Sequence, residues 1–317
     1  MKLTKYHALG NDYLVLQEYF SKNSVVTLKP ETIRWICDRH HGVGADGILV
    51  AVLSLHDLLR QKQEVDRGEQ DEGDDWGEIG VRIFNPDGSE AEKSGNGLRI
   101  FARALFDEGR VGTEPFAIET MGGRVQCQVL EQGRQIRVEM GQVTFGPTYQ
   151  FDDGLMGSWA DEKSNPSSQH LNISSPLLGH VANIGNPHCV IFRPAVSAEE
   201  TQRLGPIIEN DARFPHRTNV QFARVIDRQN LQLEIWERGA GYTLASGSSS
   251  CATCAVAVRL GLCDGAATIH VHMPGGILDV EVSPDFHITQ TGPVVRVATI
   301  IIAPDDAVAP TDHSYKY

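Results

Sequence analysis

Long apolar runs and clustered basic residues are both missing from this 317-residue chain. No stretch approaches the roughly 20 uninterrupted apolar residues that a membrane-crossing helix needs. The opening Met1-Lys2-Leu3-Thr4-Lys5-Tyr6-His7 also lacks the apolar core of an export signal. A cytoplasmic location with no membrane partner is therefore expected. Lys and Arg total 28 against 41 Asp and Glu, a formal net charge of −13. Phosphate backbones are held by clustered Lys and Arg, so nucleic acid is not an expected partner. Six cysteines, at 37, 127, 189, 251, 254 and 263, are too few in so long a chain for a disulfide framework and read as reduced thiols. Histidines 40, 41, 188, 270 and 272 are scattered, without cysteine or carboxylate at metal-ligand spacing. No metal is expected.

What the chain does have is length for two domains and an internal duplication. Phe84-Asn85-Pro86-Asp87-Gly88-Ser89-Glu90-Ala91-Glu92-Lys93-Ser94-Gly95 lines up with Trp236-Glu237-Arg238-Gly239-Ala240-Gly241-Tyr242-Thr243-Leu244-Ala245-Ser246-Gly247 at an offset of 152. A run with helical character follows each Ser-Gly, and Gly109 and Gly261 close the two runs at the same offset. Earlier in each half, Leu9-Gly10-Asn11-Asp12-Tyr13 pairs with Ile184-Gly185-Asn186-Pro187-His188 at an offset of 175. A period this long means duplicated domains, since solenoid repeats run 20 to 50 residues.

Short strands are expected at 13–17, 48–53, 80–85, 124–130 and 135–140, with helices at 30–39 and 97–108. In the second half, strands are expected at 189–193, 219–226, 232–237 and 278–282. The fold class is α+β: two pseudo-symmetric halves, each a barrel-like, mainly antiparallel sheet around a central helix. Residues 1–146 form the first half, with a strand expected to return to it from the C-terminus. The Pro/Ser/Gly-rich 147–175 reads as a linker and 176–317 as the second half. The acidic run 64–78, eight carboxylates against one arginine, reads as a solvated loop.

Two short motifs are structural. Gly42-Val43-Gly44-Ala45-Asp46-Gly47 fits G-x-G-x-x-G, but a helical pattern precedes it and a strand follows, the reverse of a dinucleotide site. Cys251-Ala252-Thr253-Cys254 lies among small apolar residues and reads as packing rather than a redox pair. The two Ser-Gly turns are more informative. Each precedes a helix, where serine caps well and open backbone N–H groups suit a carboxylate. Matching loops of two facing halves would share one cleft.

The set Gly10-Asn11-Asp12, Gly42 to Gly47, Phe84-Asn85 through Arg99, Gly185-Asn186-Pro187-His188, Asn219-Val220 and Glu237-Arg238-Gly239-Ala240-Gly241 resembles the diaminopimelate epimerase family, in order, over roughly residues 5 to 300. The resemblance implies that family's two-lobed fold and an amino-acid epimerase or racemase that works without PLP or any other cofactor. In that family one cysteine thiolate removes the α-proton and a second cysteine, as a thiol, protonates the opposite face. By position the substrate would be held by Asn11, Asn85, Asn96, Asn186, Asn219, Glu237 and Arg238. Backbone amides of Gly95–Asn96 and Gly247–Ser248 would take its α-carboxylate, and His188 and Glu237 would assist proton movement. The implied partner is a small-molecule amino acid. Relatives of this kind often pair, which brings a homodimer into view.

The departures fall on the chemistry. Ser94 and Ser246 stand where the resemblance calls for cysteines, Tyr242 stands for a glutamate, and Gly247-Ser248-Ser249 stands for Gly-Thr-Gly. Departures beyond the two thiols point to natural divergence. A cysteine near pKa 8.5 can become a thiolate, but an alcohol needs a partner to take its proton, a task open to His188 on one face and Glu237 on the other. Three activities stay open from sequence: an epimerase, a same-fold isomerase or dehydratase with one-sided chemistry, and a non-catalytic amino-acid binder.

Overall fold

The computed structural model describes residues 1–16, 28–52, 79–151 and 177–302. The acidic run and the linker from 152 onward lie outside these. Two eight-stranded arrays follow one plan. In the first, β1 (Lys2–Ala8), β2 (Asn11–Leu16), β3 (Ile48–Val52), β4 (Gly80–Phe84), β6 (Phe116–Thr120), β7 (Gly123–Leu130) and β8 (Gln135–Gln142) pair in succession. The second uses β10 (Leu177–Asn183), β11 (Pro187–Phe192), β12 (Asn219–Asp227), β13 (Asn230–Glu237), β15 (Ile269–Met273), β16 (Gly276–Val282) and β17 (His287–Pro293) in the same way. Short β5 (Glu90–Ala91) and β14 (Gly241–Thr243) hang from β4 and β13. The parallel steps, β2–β3 and β4–β6 with their counterparts β11–β12 and β13–β15, fall at equivalent places.

The eighth strand of each array crosses over. β18 (Val295–Ile301) pairs with β1, and β9 (Thr144–Phe151) pairs with β10. Residues 147–151 are therefore strand, a correction to the expected linker. β8 pairs with β17 and joins the arrays.

Each array wraps one helix, α2 (Gly95–Asp107) or α4 (Gly247–Arg259). Sheet surrounds both helices, so most of the residues of each are buried. Leu98, Phe101 and Leu105 of α2 are fully buried, at about 1.5–3 kcal/mol of burial each. α4 fills the equivalent space with Cys251, Ala252, Cys254, Ala255 and Ala257, so Cys251 and Cys254 are packing residues. Both helices end in a Schellman motif. Gly109 and Gly261 take left-handed φ of 66° and 71°, and the following amides of Arg110 and Leu262 return to Leu105 O and Ala257 O.

Among the described residues, two further helices pack outside. α1 (Pro30–Cys37) buries Ile33, Ile36 and Cys37 against Leu14, Leu16 and Ile48. Its six-residue exit, 42–47, is the helix-to-strand turn that its residue order predicts. α3 (Ala198–Glu209) covers Val220 and Phe222 and is absent from the sequence expectation, because Gly205-Pro206 interrupts its pattern. Among the described residues no helix is long and apolar enough to cross a membrane.

Candidate active site

The site lies where α2 and α4 begin. Their N-termini converge on one side chain, Gln290 of β17, which is fully buried. A Cβ on Gly247 would sit 2.6 Å from Gln290 Oε1, and one on Gly95 would overlap Gln290 Nε2. Both helices therefore open with glycine because the amide fills the space between them. Asn96 Nδ2 reaches across to Ala245 O at 3.4 Å, and the Leu9-Gly10 turn packs on Leu244 and the 275–276 turn. The two Ser-Gly loops thus meet at one place.

Ser94 and Ser246 are the N-cap residues, with nearly identical φ of −141° and −142°. Their hydroxyls are wired in opposite senses. Ser94 Oγ accepts from the Gly97 amide at 3.1 Å and lies 3.3 Å from the hydroxyl of Tyr13. Ser246 Oγ makes no cap bond and donates to Glu237 Oε2 at 3.1 Å. Thr243 Oγ1 donates to the other oxygen, Oε1, at 2.8 Å. Burial pushes the Glu237 carboxyl up, against the hydrogen bonds from Thr243 and Ser246 that favour its charge. The first amide of α4 bonded within the helix is that of Ser250, to Ser246 O. The amides of Gly247, Ser248 and Ser249 therefore have no intrahelical acceptor and form the positive end of the helix dipole. In α2 the equivalent groups are the amides of Gly95 and Asn96, two of the expected carboxylate ligands.

A hydrogen-bond chain orients the asparagines. Buried Arg99 donates from Nη2 to Asn96 Oδ1 at 2.7 Å, Asn96 Nδ2 donates to Asn11 Oδ1 at 3.0 Å, and Asn11 Nδ2 donates to Asp46 Oδ2 at 2.9 Å. An arginine can only donate and a carboxylate only accept, so both amide orientations are fixed. Asp46 also accepts from the Asp12 amide and shares Arg39 with Asp12. Burial opposes charge on Asp12, but Arg39 and Lys5 outweigh it and hold that carboxyl at about 2. Asp46 is pushed up, chiefly by burial.

The other expected residues divide. Asn186 donates to Ser248 Oγ at 3.4 Å and accepts from His188 Nε2 at 2.9 Å. Because Asn186 Oδ1 is an acceptor, His188 carries its proton on Nε2. Its buried Nδ1 makes no hydrogen bond of good geometry among the described residues, and burial drives the ring's pKa down to about 3, with the neighbouring Gln221 side chain acting against it. His188 is thus a neutral ring oriented by Asn186, with neither serine as its hydrogen-bond partner. Asn219 accepts from the Arg238 amide at 3.0 Å and donates to Pro187 O, which ties β13 to β11. Arg238 is exposed and bonds His216 O. Asn85 lies in its own turn, donating to Ser89 Oγ. Tyr242, at the end of β13's hairpin, donates to Glu234 at 2.7 Å rather than to either serine. Sequence reasoning missed Tyr13, Asp46, Arg99 and Gln290 as site residues. Tyr13 carried a usable signal, since it stands one step beyond Asn11-Asp12 at the position that matches His188.

Two lobes of one plan, whose central helices begin side by side at Gln290 with a serine at each N-cap position, define the class of fold. The same fold occurs in a hydroxyproline epimerase from Agrobacterium vitis, at a TM-score of 0.65 and 12% identity over 96% of this chain and 93% of that one. The sequence profile of diaminopimelate epimerase matches residues 3–146 and 180–297. Diaminopimelate epimerase 2 of Nostoc sp. is 45% identical over 94% of both chains, and diaminopimelate epimerase 1 of the same organism is 36% identical over 94% of this chain and 98% of its own. The chain belongs to the diaminopimelate epimerase family.

Proposed function

We propose that the protein is a cytoplasmic amino-acid epimerase that inverts an α-carbon of diaminopimelate, as its relatives' names indicate, and does so without PLP or another cofactor. The observation that carries the reading is the pair of serines at the N-cap positions of the two converging helices, one of them donating to a half-buried carboxylate. A substrate α-carboxylate seated on the open amides of α2 and α4 would set its Cα between the two hydroxyls. Ser246 then takes the α-proton while its own proton moves to Glu237, as in other base-activated hydroxyls. The carboxylate on two helix termini also steadies the charge that develops beside it. Six buried, unpaired thiols fit a reducing compartment.

The test is stereochemical. L,L-diaminopimelate is incubated with the protein and the isomers are separated by chiral chromatography. The meso isomer should accumulate toward equilibrium, and S246A should abolish its formation. No meso isomer from the unaltered protein would overturn the proposal.

A further inference from the structure

The two faces of the cleft have different proton inventories, and this rests on the epimerase reading above. Ser246 gives its hydrogen to a carboxylate, an acceptor only, so its lone pairs are what it offers the cleft. Ser94 Oγ already accepts the Gly97 amide. With Tyr13 as donor in the 3.3 Å contact, both of its lone pairs are used and its own hydrogen is what it offers the cleft.

The placement of Tyr13 is built in. The ring is buried at 6% exposure, and a Cβ on Gly47 would lie 2.5 Å from its Cε1, so Gly47 leaves the room the ring occupies. Ser94 is the partner of its hydroxyl. Tyr13 is also the duplication partner of His188, but His188 is turned to Asn186. The halves have diverged at this position.

We propose that Tyr13 is the proton source for Ser94, making the Ser94 face the acid side of the reaction and the Ser246–Glu237 face the base side. In the step, the Cα–H bond breaks at the Ser246 face, the proton goes to Ser246 Oγ, and Ser246's own proton goes to Glu237. The electron pair left on Cα forms a new C–H bond with the Ser94 hydroxyl hydrogen. Ser94 Oγ takes the phenolic hydrogen of Tyr13 as that O–H bond breaks. Tyrosinate and protonated Glu237 remain, and solvent resets both after product leaves. Burial keeps Tyr13 protonated, at about 12, and the charge on Glu237 adds to that hold. Once Glu237 is protonated that contribution is gone, so Tyr13 becomes a better acid at the stage that needs one. Tyr13 acts through Ser94 and is a positioning and relay residue.

The experiment compares α-deuterium incorporation with inversion in deuterated water for the unaltered protein, Y13F, S94A and the double variant. Y13F should lower inversion at least about 100-fold while exchange with retention, through Ser246, stays within about threefold. S94A should lose inversion at least as far as Y13F, and the double variant should be no worse than S94A, as for groups acting as one unit. Inversion by Y13F at the unaltered rate, or parallel loss of exchange and inversion, would overturn the relay. A second readout needs no turnover: the Tyr13 hydroxyl proton, followed by NMR at neutral pH, should exchange with solvent at least about tenfold faster in S94A. Unchanged exchange there would also overturn it. An unaltered protein that neither exchanges nor inverts would defeat the epimerase reading, and the hydroxyl-proton measurement would still decide the Tyr13–Ser94 link.

Discussion

Glu237→Gln separates catalysis from stability. The glutamine can keep the bond from Thr243 at Oε1, 2.8 Å, and present its NH2 to Ser246 across the present 3.1 Å. No hydrogen bond is lost, but the one to Ser246 reverses, and Ser246 has no acceptor for its proton. Loss of a positioned general base costs about 10²–10⁴ in rate, or about 2.7–5.4 kcal/mol in the barrier. Stability moves the other way. Burial holds the Glu237 carboxyl above its unfolded-state value, so its contribution is full below about pH 4.3 and is lost as pH rises through the folded value. At pH 7 the ionised side chain therefore weakens the fold, and Glu237→Gln should melt at the same temperature or higher. Initial rates of isomer conversion and thermal melts at pH 5 and pH 7 measure both. Activity within threefold of the unaltered protein, or a stability loss above about 1 kcal/mol at pH 7, would refute the reasoning.

Other outcomes follow from the same geometry. Gly247→Ala should cost about 1–3 kcal/mol in denaturant unfolding, because Gln290 cannot retreat from the new methyl without meeting Gly95; adding Gln290→Ala should recover part of that loss. Burial raises Cys37, Cys127, Cys189 and Cys251 to about 12. Their contribution is complete below the ordinary thiol pKa of about 8.5 and is lost as pH rises toward 12, at about 1.4 kcal/mol per unit per thiol. Alkaline titration followed by circular dichroism should show progressive loss of stability as pH rises above the ordinary thiol range, and Cys127→Ser should lessen that loss. Asp12, held at about 2 with Arg39 and Lys5 as its partners, stabilises the fold above about pH 4 and stops doing so as pH falls toward 2. Asp12→Asn should accordingly flatten the loss of stability measured between pH 4 and pH 2.

The duplication was legible because its markers are local. Ser94 and Ser246 stand at the N-cap positions of their helices, and Gly109 and Gly261 end them with the φ that glycine permits. The parallel and antiparallel steps between strands follow from the same repeat. The return of β18 to the first half was expected in outline, whereas the crossing of β9 to the second half was not. β18 is exposed along most of its length, so no apolar alternation marks its place, and β9 begins in a segment whose composition suggests a linker. The asparagines of the site were readable as types, but their partners were not. Asn96 meets Asn11 from 85 residues away and Asn11 meets Asp46 from 35, distances that only folding closes. The unlike wiring of the two serines was invisible for the same reason, since Tyr13 reaches Ser94 across 81 residues.

Proton NMR of L,L-diaminopimelate with the unaltered protein in deuterated water tests the account most directly. Loss of an α-proton signal together with growth of the meso isomer, deuterated at the inverted carbon, is the predicted result. A substrate that keeps its α-protons while bound to the protein would contradict the claim that two serines at converging helix termini run the epimerisation.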